Sequence, residues 1–174
     1  MARKLTDTRK KPARPAAGRP AARKNAADAV AAARFDAICR ERGGRLTKQR
    51  LAVLTVLSAA KRPLTAYELL DSLKQEDPSA TPASTYRCLE FLISVGLAHR
   101  LETKRSFVAC EHPDHRHSVQ FLICRTCGTV VETEDKRITR ATDDLGQRHG
   151  FALDHQTVEL TGMCGPCRGE TAST

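Results

Sequence analysis

Two Cys-x-x-Cys pairs constrain the fold of this chain more than any other feature of its sequence. The pairs are Cys124 with Cys127 and Cys164 with Cys167. Each pair presents two thiolates to one ion, and two pairs complete a tetrahedral zinc site with four thiolate ligands. The 36 residues between the pairs exceed the zinc-ribbon loop of about 15 to 20 residues, so we expect a strand, a helix and a strand between them. Because a closed four-thiolate site has no open position for substrate, we predict that it is structural.

The second pair also allows a redox interpretation. Cys164-Gly-Pro-Cys167 has the four letters of the thioredoxin redox centre, where a lowered thiol pKa drives disulfide exchange. That chemistry needs a following helix and most of an α/β domain, whereas seven residues follow Cys167 and the chain has no Trp. A thiol oxidoreductase is therefore the less favoured hypothesis. No catalytic triad, paired-carboxylate site or phosphate-binding loop indicates another kind of enzyme.

A second set of metal-binding side chains lies between the predicted lobes. His99 and Cys110 stand at the two ends of a predicted hairpin, His117 leads into the next strand, and Glu132 ends the strand after it. One thiolate, two imidazoles and a carboxylate suit tetrahedral zinc, and the thiolate disfavours a hard-ligand iron or manganese site. We predict that this metal fixes the relative orientation of the lobes. The alternatives are scattered polar residues without a metal, His115 in place of His117, or a looser third site drawn from His112, Asp114, His115 and His155.

The front of the chain is predicted to form a winged helix. Apolar periodicity indicates a first helix from Asn25 to Gly43-Gly44, with Val30, Phe35, Ile38 and Cys39 on its buried stripe. Start signals for three more helices are Thr47, the Thr65/Glu68 capping box, and Thr81 followed by Pro82. Two short alternating runs then predict the β-hairpin.

The fourth predicted helix is polar at its beginning and apolar in its second half. A helix anchored in this way inserts its N-terminal end into a major groove. We therefore predict that DNA is contacted by Ser84, Thr85, Tyr86 and Arg87. The alternatives are a small helical domain with a polar helix end, a phosphate contact alone for Arg87, and half-buried core positions for Tyr67 and Tyr86.

The back of the chain reads as strand, strand, helix and strand. Such a lobe is too thin to be stable alone, so we expect it to bind metal and to pair with a second copy. The prediction is an α+β protein with a disordered basic tail (1–24), a winged-helix DNA-binding domain with a hinge at its end (25–109), and a small α/β dimerisation domain (110–174).

Charge separates these regions. The net charge is +9, and residues 1–24 hold nine Lys or Arg against one Asp, whereas residues 106–174 hold seven basic and ten acidic residues. The basic front suits a polyanion such as DNA, and the tail is either a solvated extension or a phosphate-contacting arm. No apolar run reaches the roughly 20 residues of a membrane span. We therefore expect a cytoplasmic protein without a membrane partner, whose seven cysteines are metal ligands or buried thiols rather than disulfides.

Three motifs together resemble the ferric uptake regulator family of metal-sensing repressors. They are Leu46-Thr47-Lys48-Gln49-Arg50, the segment 81–87, and the paired cysteines, and the resemblance covers about residues 25–168. It implies a homodimer with a winged-helix domain, a hinge and a dimerisation domain. Tyr86 and Arg87 match the recognition-helix positions of the family, and Tyr67 on the preceding helix is implied as a further DNA-binding residue.

Within that family the sequence is most similar to the zinc uptake regulator branch. Residues 119–123 are mostly apolar, where iron and peroxide sensors have a run rich in His and Asp, and Cys110 supplies a thiolate. The resemblance implies regulatory zinc on His99, Cys110, His117 and Glu132, hence two zinc ions per protomer. It also implies a palindromic operator and zinc-dependent repression of zinc uptake genes. The alternative is an iron, manganese or peroxide sensor of the same family, and the departures are the long basic tail and the insertion 111–115.

Overall fold

The computed structural model describes residues 21–60, 62–113, 118–153 and 156–169, and among residues 21–28 only the backbone. The predicted tail up to residue 20 lies outside this part of the chain. Six helices and five strands follow in the order α1 (Ala21–Glu41), α2 (Lys48–Ala60), α3 (Ala66–Glu76), α4 (Pro82–Ser94), β1 (Ala98–Leu101), β2 (Ser106–Ala109), β3 (Val119–Cys124), β4 (Val130–Thr133), α5 (Lys136–Arg148), β5 (Thr157–Gly162) and α6 (Gly165–Arg168). Within the described ranges, none of these helices combines the length and the apolarity of a membrane span.

Helix α1 departs from the prediction at its beginning. It starts at Ala21 rather than Asn25, so the last four residues assigned to the disordered tail are helical. The Ala-rich sequence explains this difference, because Ala has the highest intrinsic helix propensity. Val30 was expected in the core but is 71% exposed. Among the side chains described in α1, from residue 29 onward, those that belong to the helical core or pack against it are Phe35, Ile38 and Cys39.

The predicted helix caps are confirmed. Thr47 accepts a hydrogen bond from the Arg50 amide at 3.3 Å, and Thr65 forms the expected capping box with Glu68. Thr81 forms a second capping box with Ser84, and Pro82 occupies the first turn of α4. Each side-chain oxygen satisfies a backbone amide that has no partner within the helix, which fixes where the helix begins.

A single apolar core joins α1 to α4 and the hairpin. Leu89 and Leu92 from α4 lie against Leu54 and Leu57 from α2, and all four are buried. Phe107 belongs to the same core and pairs through its backbone with Leu64 in an isolated bridge. The polar beginning of α4 therefore rests on an apolar second half, as the sequence predicts.

The hairpin of β1 and β2, here called the wing hairpin (residues 98–109), packs on both sides. Ala98, Phe107 and Ala109 belong to the helical core. Leu101 and Val108 belong to a second core with the strands that follow. The wing hairpin is thus a layer between the two lobes rather than an appendage of the first.

Strands β4, β3 and β5 form one sheet in that order, with β4 antiparallel and β5 parallel to β3. Phe121 in β3 lies between Glu132 in β4 and Glu159 in β5, and Phe121 belongs to the core shared with the wing hairpin. We call these three residues the inner row. Because side chains alternate along a strand, the neighbouring set points to the opposite face, and this outer row consists of Val131, Leu122 and Leu160.

Candidate metal centres and nucleic-acid interface

Four thiols converge where the two Cys-x-x-Cys pairs meet. Cys124 ends β3, Cys127 follows in the turn to β4, and Cys164 and Cys167 flank the start of α6. Hydrogen bonding brings the segments together, because the Arg125 amide donates to the Gly162 carbonyl at 2.9 Å and the Cys164 amide lies 3.4 Å from the Cys124 sulfur. The four sulfurs all lie within 4.8 Å of one another.

This spacing fits one tetrahedral ion. Sulfurs bound at about 2.3 Å stand roughly 3.8 Å apart in a tetrahedron, and the sulfurs of Cys127 and Cys164 are separated by 3.6 Å. Hydrogen bonds from the backbone amides of Cys127 and Cys164 lower the pKa of the Cys124 thiol to about 5. Hydrogen bonds with the side chains of Cys164 and then Cys127 raise the pKa of the Cys167 thiol to about 12. Part of the cluster is therefore ready to bind as thiolate, and a bound cation displaces the remaining protons.

A second cluster lies between the wing hairpin and the C-terminal sheet. It comprises His99, Cys110 and Glu132, whose ligand atoms also lie within 4.8 Å of one another. The Glu132 Oε1 atom is 3.6 Å from the Cys110 sulfur and 3.8 Å from His99 Nε2. On a tetrahedral zinc ion, with oxygen and nitrogen at about 2.0 Å and sulfur at about 2.3 Å, an oxygen stands roughly 3.3 Å from a nitrogen and roughly 3.5 Å from a sulfur. The observed distances are close to these values, so this donor set fits the same kind of ion.

Backbone pairing explains why these three residues meet. His99 lies opposite Val108 in the wing hairpin, and the Cys110 amide donates to the Leu97 carbonyl at 3.0 Å just beyond the paired strands. Glu132 reaches the same point from the inner row of the sheet. The His99 ring meets the Phe121 ring edge-on, with centroids 5.4 Å apart. Both the strand pairing and the contact with the Phe121 ring therefore orient the His99 imidazole.

The electrostatics of the second cluster favour a cation. Burial, followed by the nearby Glu132 carboxylate, raises the pKa of the Cys110 thiol to about 12. The side chains of His99 and Glu132 are 8% and 5% exposed. A buried thiol beside a buried carboxylate is stabilised as thiolate by a metal ion, because the ion supplies the positive charge that water no longer does.

The remaining candidate ligands divide into two groups. His117, the predicted fourth ligand, and its alternative His115 lie outside the described residues, as do Asp114 and His155. His112 is exposed and belongs to neither cluster within the described ranges. The described part of the chain therefore supplies three candidate ligands at this position, and the fourth stays a prediction.

The predicted DNA-binding residues separate into exposed and buried side chains. Tyr67 is 74% exposed, Tyr86 is 46% exposed and Arg87 is also exposed. Ser84 is half-buried, and its hydroxyl is engaged in the capping box with Thr81.

Thr85 requires a correction. Its side chain is 2% exposed and its hydroxyl donates to the Thr81 carbonyl at 3.0 Å. The first turn of α4 rotates this residue toward the core, so it does not offer a side chain to DNA.

Two residues that hold distant segments together were not predicted from the sequence to have a structural role. The Arg42 guanidinium, at the end of α1, donates to the carbonyls of Val95 and Pro113 and so joins the end of α4 to the segment after Cys110. Glu159 reaches the turn of the wing hairpin. The sequence gives no local signal for Arg42, but the position of Glu159 follows once the register of β5 with β3 is known.

Family membership rests on comparison with known proteins. The model of the ferric uptake regulator family matches residues 41–161. The chain belongs to the ferric uptake regulator family. It is 38% identical over 136 residues to the zinc uptake regulation protein of Escherichia coli (strain K12), covering 78% of this chain and 80% of that protein. It is 31% identical over 129 residues to the zinc uptake regulation protein of Mycobacterium tuberculosis (strain H37Rv), covering 72% and 96%.

Solved structures agree with this assignment. A zinc uptake regulator complexed with zinc and DNA is 36% identical, covers 82% of this chain and 95% of its own, and superposes with a TM-score of 0.75. The crystal structure of holo XcZur is 38% identical, covers 80% and 98%, and gives a TM-score of 0.72. The predicted α+β architecture, with a winged-helix lobe and a small C-terminal lobe, is confirmed.

The four-thiol cluster leads to a test by substitution. Replacing Cys164 with Ser leaves three thiolates, and a hydroxyl is a poor zinc ligand at neutral pH. We expect the dialysed variant to hold one metal ion fewer per chain than the parent protein, and to unfold at a lower urea concentration. Metal content by mass spectrometry and urea titration measure the two effects. Cys39→Ala, which removes a thiol outside both clusters, is the control for metal content, and unchanged metal content in Cys164→Ser would exclude the four-thiol site.

Proposed function

We propose that this protein is a zinc-responsive transcriptional repressor, which binds operator DNA as a dimer when loaded with zinc and represses zinc uptake genes. One observation carries the proposal: His99, Cys110 and Glu132 converge on a point where the wing hairpin meets the C-terminal sheet. Membership of the family and the printed names of relatives, zinc uptake regulation proteins, support the choice of zinc.

The two clusters have different roles in this proposal. The four-thiol cluster lies within the C-terminal lobe and stabilises it, because among the described residues this lobe contributes only three buried residues, Val119, Phe121 and Ile123, to the second core. The His99 cluster takes ligands from both lobes, and the zinc bound there regulates DNA binding. His117 is proposed as its fourth ligand because it precedes β3 by two residues in the sequence and β3 pairs with β4, the strand that carries Glu132. This assignment gives two zinc ions per chain.

Zinc at the regulatory cluster would act on the orientation of α4. Val95 caps α4, and Gly96 and Leu97 connect it to β1, so only a few residues separate the DNA-reading helix from His99. Fixing the wing hairpin on the sheet thereby fixes α4. In a dimer the two α4 helices must reach major grooves separated by about 34 Å. A hundredfold rise in DNA affinity needs about 2.7 kcal/mol of coupling, and DNA must then tighten zinc binding by the same factor.

The outer row is proposed as the centre of the dimer interface. Leu122, Val131 and Leu160 are 47%, 48% and 44% exposed and lie side by side across three strands. A contiguous apolar surface of this kind marks an interaction site. Two copies meeting through it leave the inner rows free to hold their own wing hairpins.

DNA contact is proposed for Tyr86 and Arg87 on α4 and for Tyr67 on α3. These side chains are exposed, and the two on α4 follow the capped N-terminus of a helix whose back half is buried. Arg makes bidentate contacts to guanine or to phosphate, and Tyr hydroxyls contact phosphates. Ser84 is proposed to contribute by fixing the start of α4, since both its amide and its hydroxyl are used in the capping box with Thr81.

The regulatory role is tested by retention of the reduced protein on genomic fragments across buffered free zinc, with ferrous iron and manganese in parallel. We expect selective capture by zinc, and we expect Cys110→Ser to lose this response, about a hundredfold in DNA affinity, while remaining a folded dimer. Cys39→Ala is the matched control. A full zinc response in Cys110→Ser would refute the regulatory assignment, and capture by iron or manganese would indicate a sensor of another metal.

The DNA-contacting role of Arg87 is tested by Arg87→Ala. Loss of a contact to a base edge typically costs about 1–3 kcal/mol, so operator affinity at saturating zinc should fall about tenfold or more. Fluorescence anisotropy at one salt concentration measures the change. Arg137→Ala removes the same charge from the C-terminal lobe and should bind within about twofold of the parent protein. Equal losses in both variants would show that only net charge matters.

The dimer interface is tested by Leu122→Asp. A carboxylate at the centre of an apolar interface loses hydration without gaining a partner, at a cost of several kcal/mol. We therefore expect a monomer at concentrations where the parent protein is a dimer, measured by sedimentation velocity. Val30→Asp introduces the same charge on exposed α1 and should remain a dimer. A dimeric Leu122→Asp protein would place the interface elsewhere.

A further inference from the structure

The wing hairpin contacts the C-terminal sheet at two separate points. At its base, His99 and Cys110 meet Glu132, the inner-row residue of β4. At its turn, the amides of Glu102 and Thr103 donate to Oε1 and Oε2 of Glu159, the inner-row residue of β5, at 2.6 and 3.0 Å. The two glutamates flank the same residue, Phe121. Only the first point involves a predicted metal ligand set.

The contact at the turn is specific to a carboxylate. Each Glu159 oxygen accepts one of two successive amides, so the turn is held against translation and rotation together. Partial burial opposes ionisation, but the hydrogen bonds from Thr103 and Glu102 prevail and lower the pKa of Glu159. Hydrogen bonds to an ionised acceptor are stronger than those between neutral groups.

The turn itself carries positive charge. Thr103, Lys104 and Arg105 are exposed, and Arg105 adopts a φ of 48°, a left-handed conformation that is unfavourable for a side chain with a Cβ. The Arg105 amide donates to the Glu102 carbonyl at 3.2 Å, closing the turn. Glu159 therefore anchors the backbone of a basic loop whose cationic side chains remain outside.

We infer that Glu159 is a positioning residue for DNA binding: its carboxylate anchors the turn of the wing hairpin to the dimerisation lobe through hydrogen bonds, and so restrains the basic turn when the zinc-loaded protein meets DNA. The inference rests on the proposed function. It assigns the wing hairpin two anchors on one sheet, one through the proposed metal ligand Glu132 and one through the hydrogen bonds of Glu159.

Electrostatics make the expected result distinctive. Removing an acidic group from a DNA-binding protein by itself strengthens attraction to the phosphate backbone. The positioning role has the opposite consequence, because a loosened turn must be ordered again when DNA binds. A decrease in affinity after loss of this negative charge therefore cannot arise from net charge.

The test uses the full-length zinc-loaded protein and operator DNA selected by the wild type. Glu159→Leu should weaken DNA binding about tenfold, the size of a lost hydrogen bond to a charged group. Glu159→Gln keeps one acceptor oxygen and should weaken it less. Asp144→Asn removes an exposed carboxylate on α5 and should bind DNA as tightly as the wild type or more tightly. Zinc content and circular dichroism establish that each variant is folded.

Amide hydrogen exchange provides a readout of the contact without DNA. Exchange at Glu102 and Thr103 should be about tenfold faster in Glu159→Leu, while the Cys110 amide, bonded to the Leu97 carbonyl at the other end of the wing hairpin, should be unchanged. Unchanged exchange at the turn, or DNA binding by Glu159→Leu as tight as by Asp144→Asn, would overturn the inference alone. Failure of the wild type to bind DNA in response to zinc would instead overturn the proposed function.

Discussion

The packing of the wing hairpin on Phe121 is the interaction on which the rest of the structure depends. Phe121 is fully buried and forms the second core with Leu101 and Val108 from the wing hairpin. His99 and Glu132 belong to separate lobes, and this packing is what brings them close together. Apolar burial thus brings together the proposed regulatory ligands, and a metal bound by them would hold a contact that a core of this size stabilises only modestly.

Strand alternation gives one small sheet two functions. The inner row faces the wing hairpin with two carboxylates around an aromatic ring, and the outer row presents three aliphatic side chains. A shift of one residue in the register of β4 would send Glu132 to the outer face and Val131 to the inner one. Metal binding and the proposed dimerisation therefore depend on the same backbone pairing, which links the regulatory site to the symmetry of the assembly.

The sequence predicted the parts that are encoded locally. The capping box at Thr65 and the pair of Thr81 with Pro82 indicated helix starts, and the spacing of the cysteine pairs indicated the four-thiol cluster. Contacts between distant segments were less accessible. Val30 and Thr85 were misplaced because helical periodicity specifies a stripe, whereas burial depends on which neighbours cover it. Glu159 and Arg42 act through backbone groups of distant segments, and backbone groups leave no pattern in a sequence.

The central claim is that metal at the His99 cluster fixes α4 relative to the dimer core. Its most direct test is the distance between spin labels placed at Glu90, an exposed α4 position, in the two chains of the dimer, with a label that does not use cysteine. Pulsed electron resonance across buffered zinc should show a broad distribution that narrows to one separation as the regulatory site fills, and Cys110→Ser should remain broad. A distribution that is equally narrow with and without zinc would contradict the account, since the lobes would then be rigid without the metal.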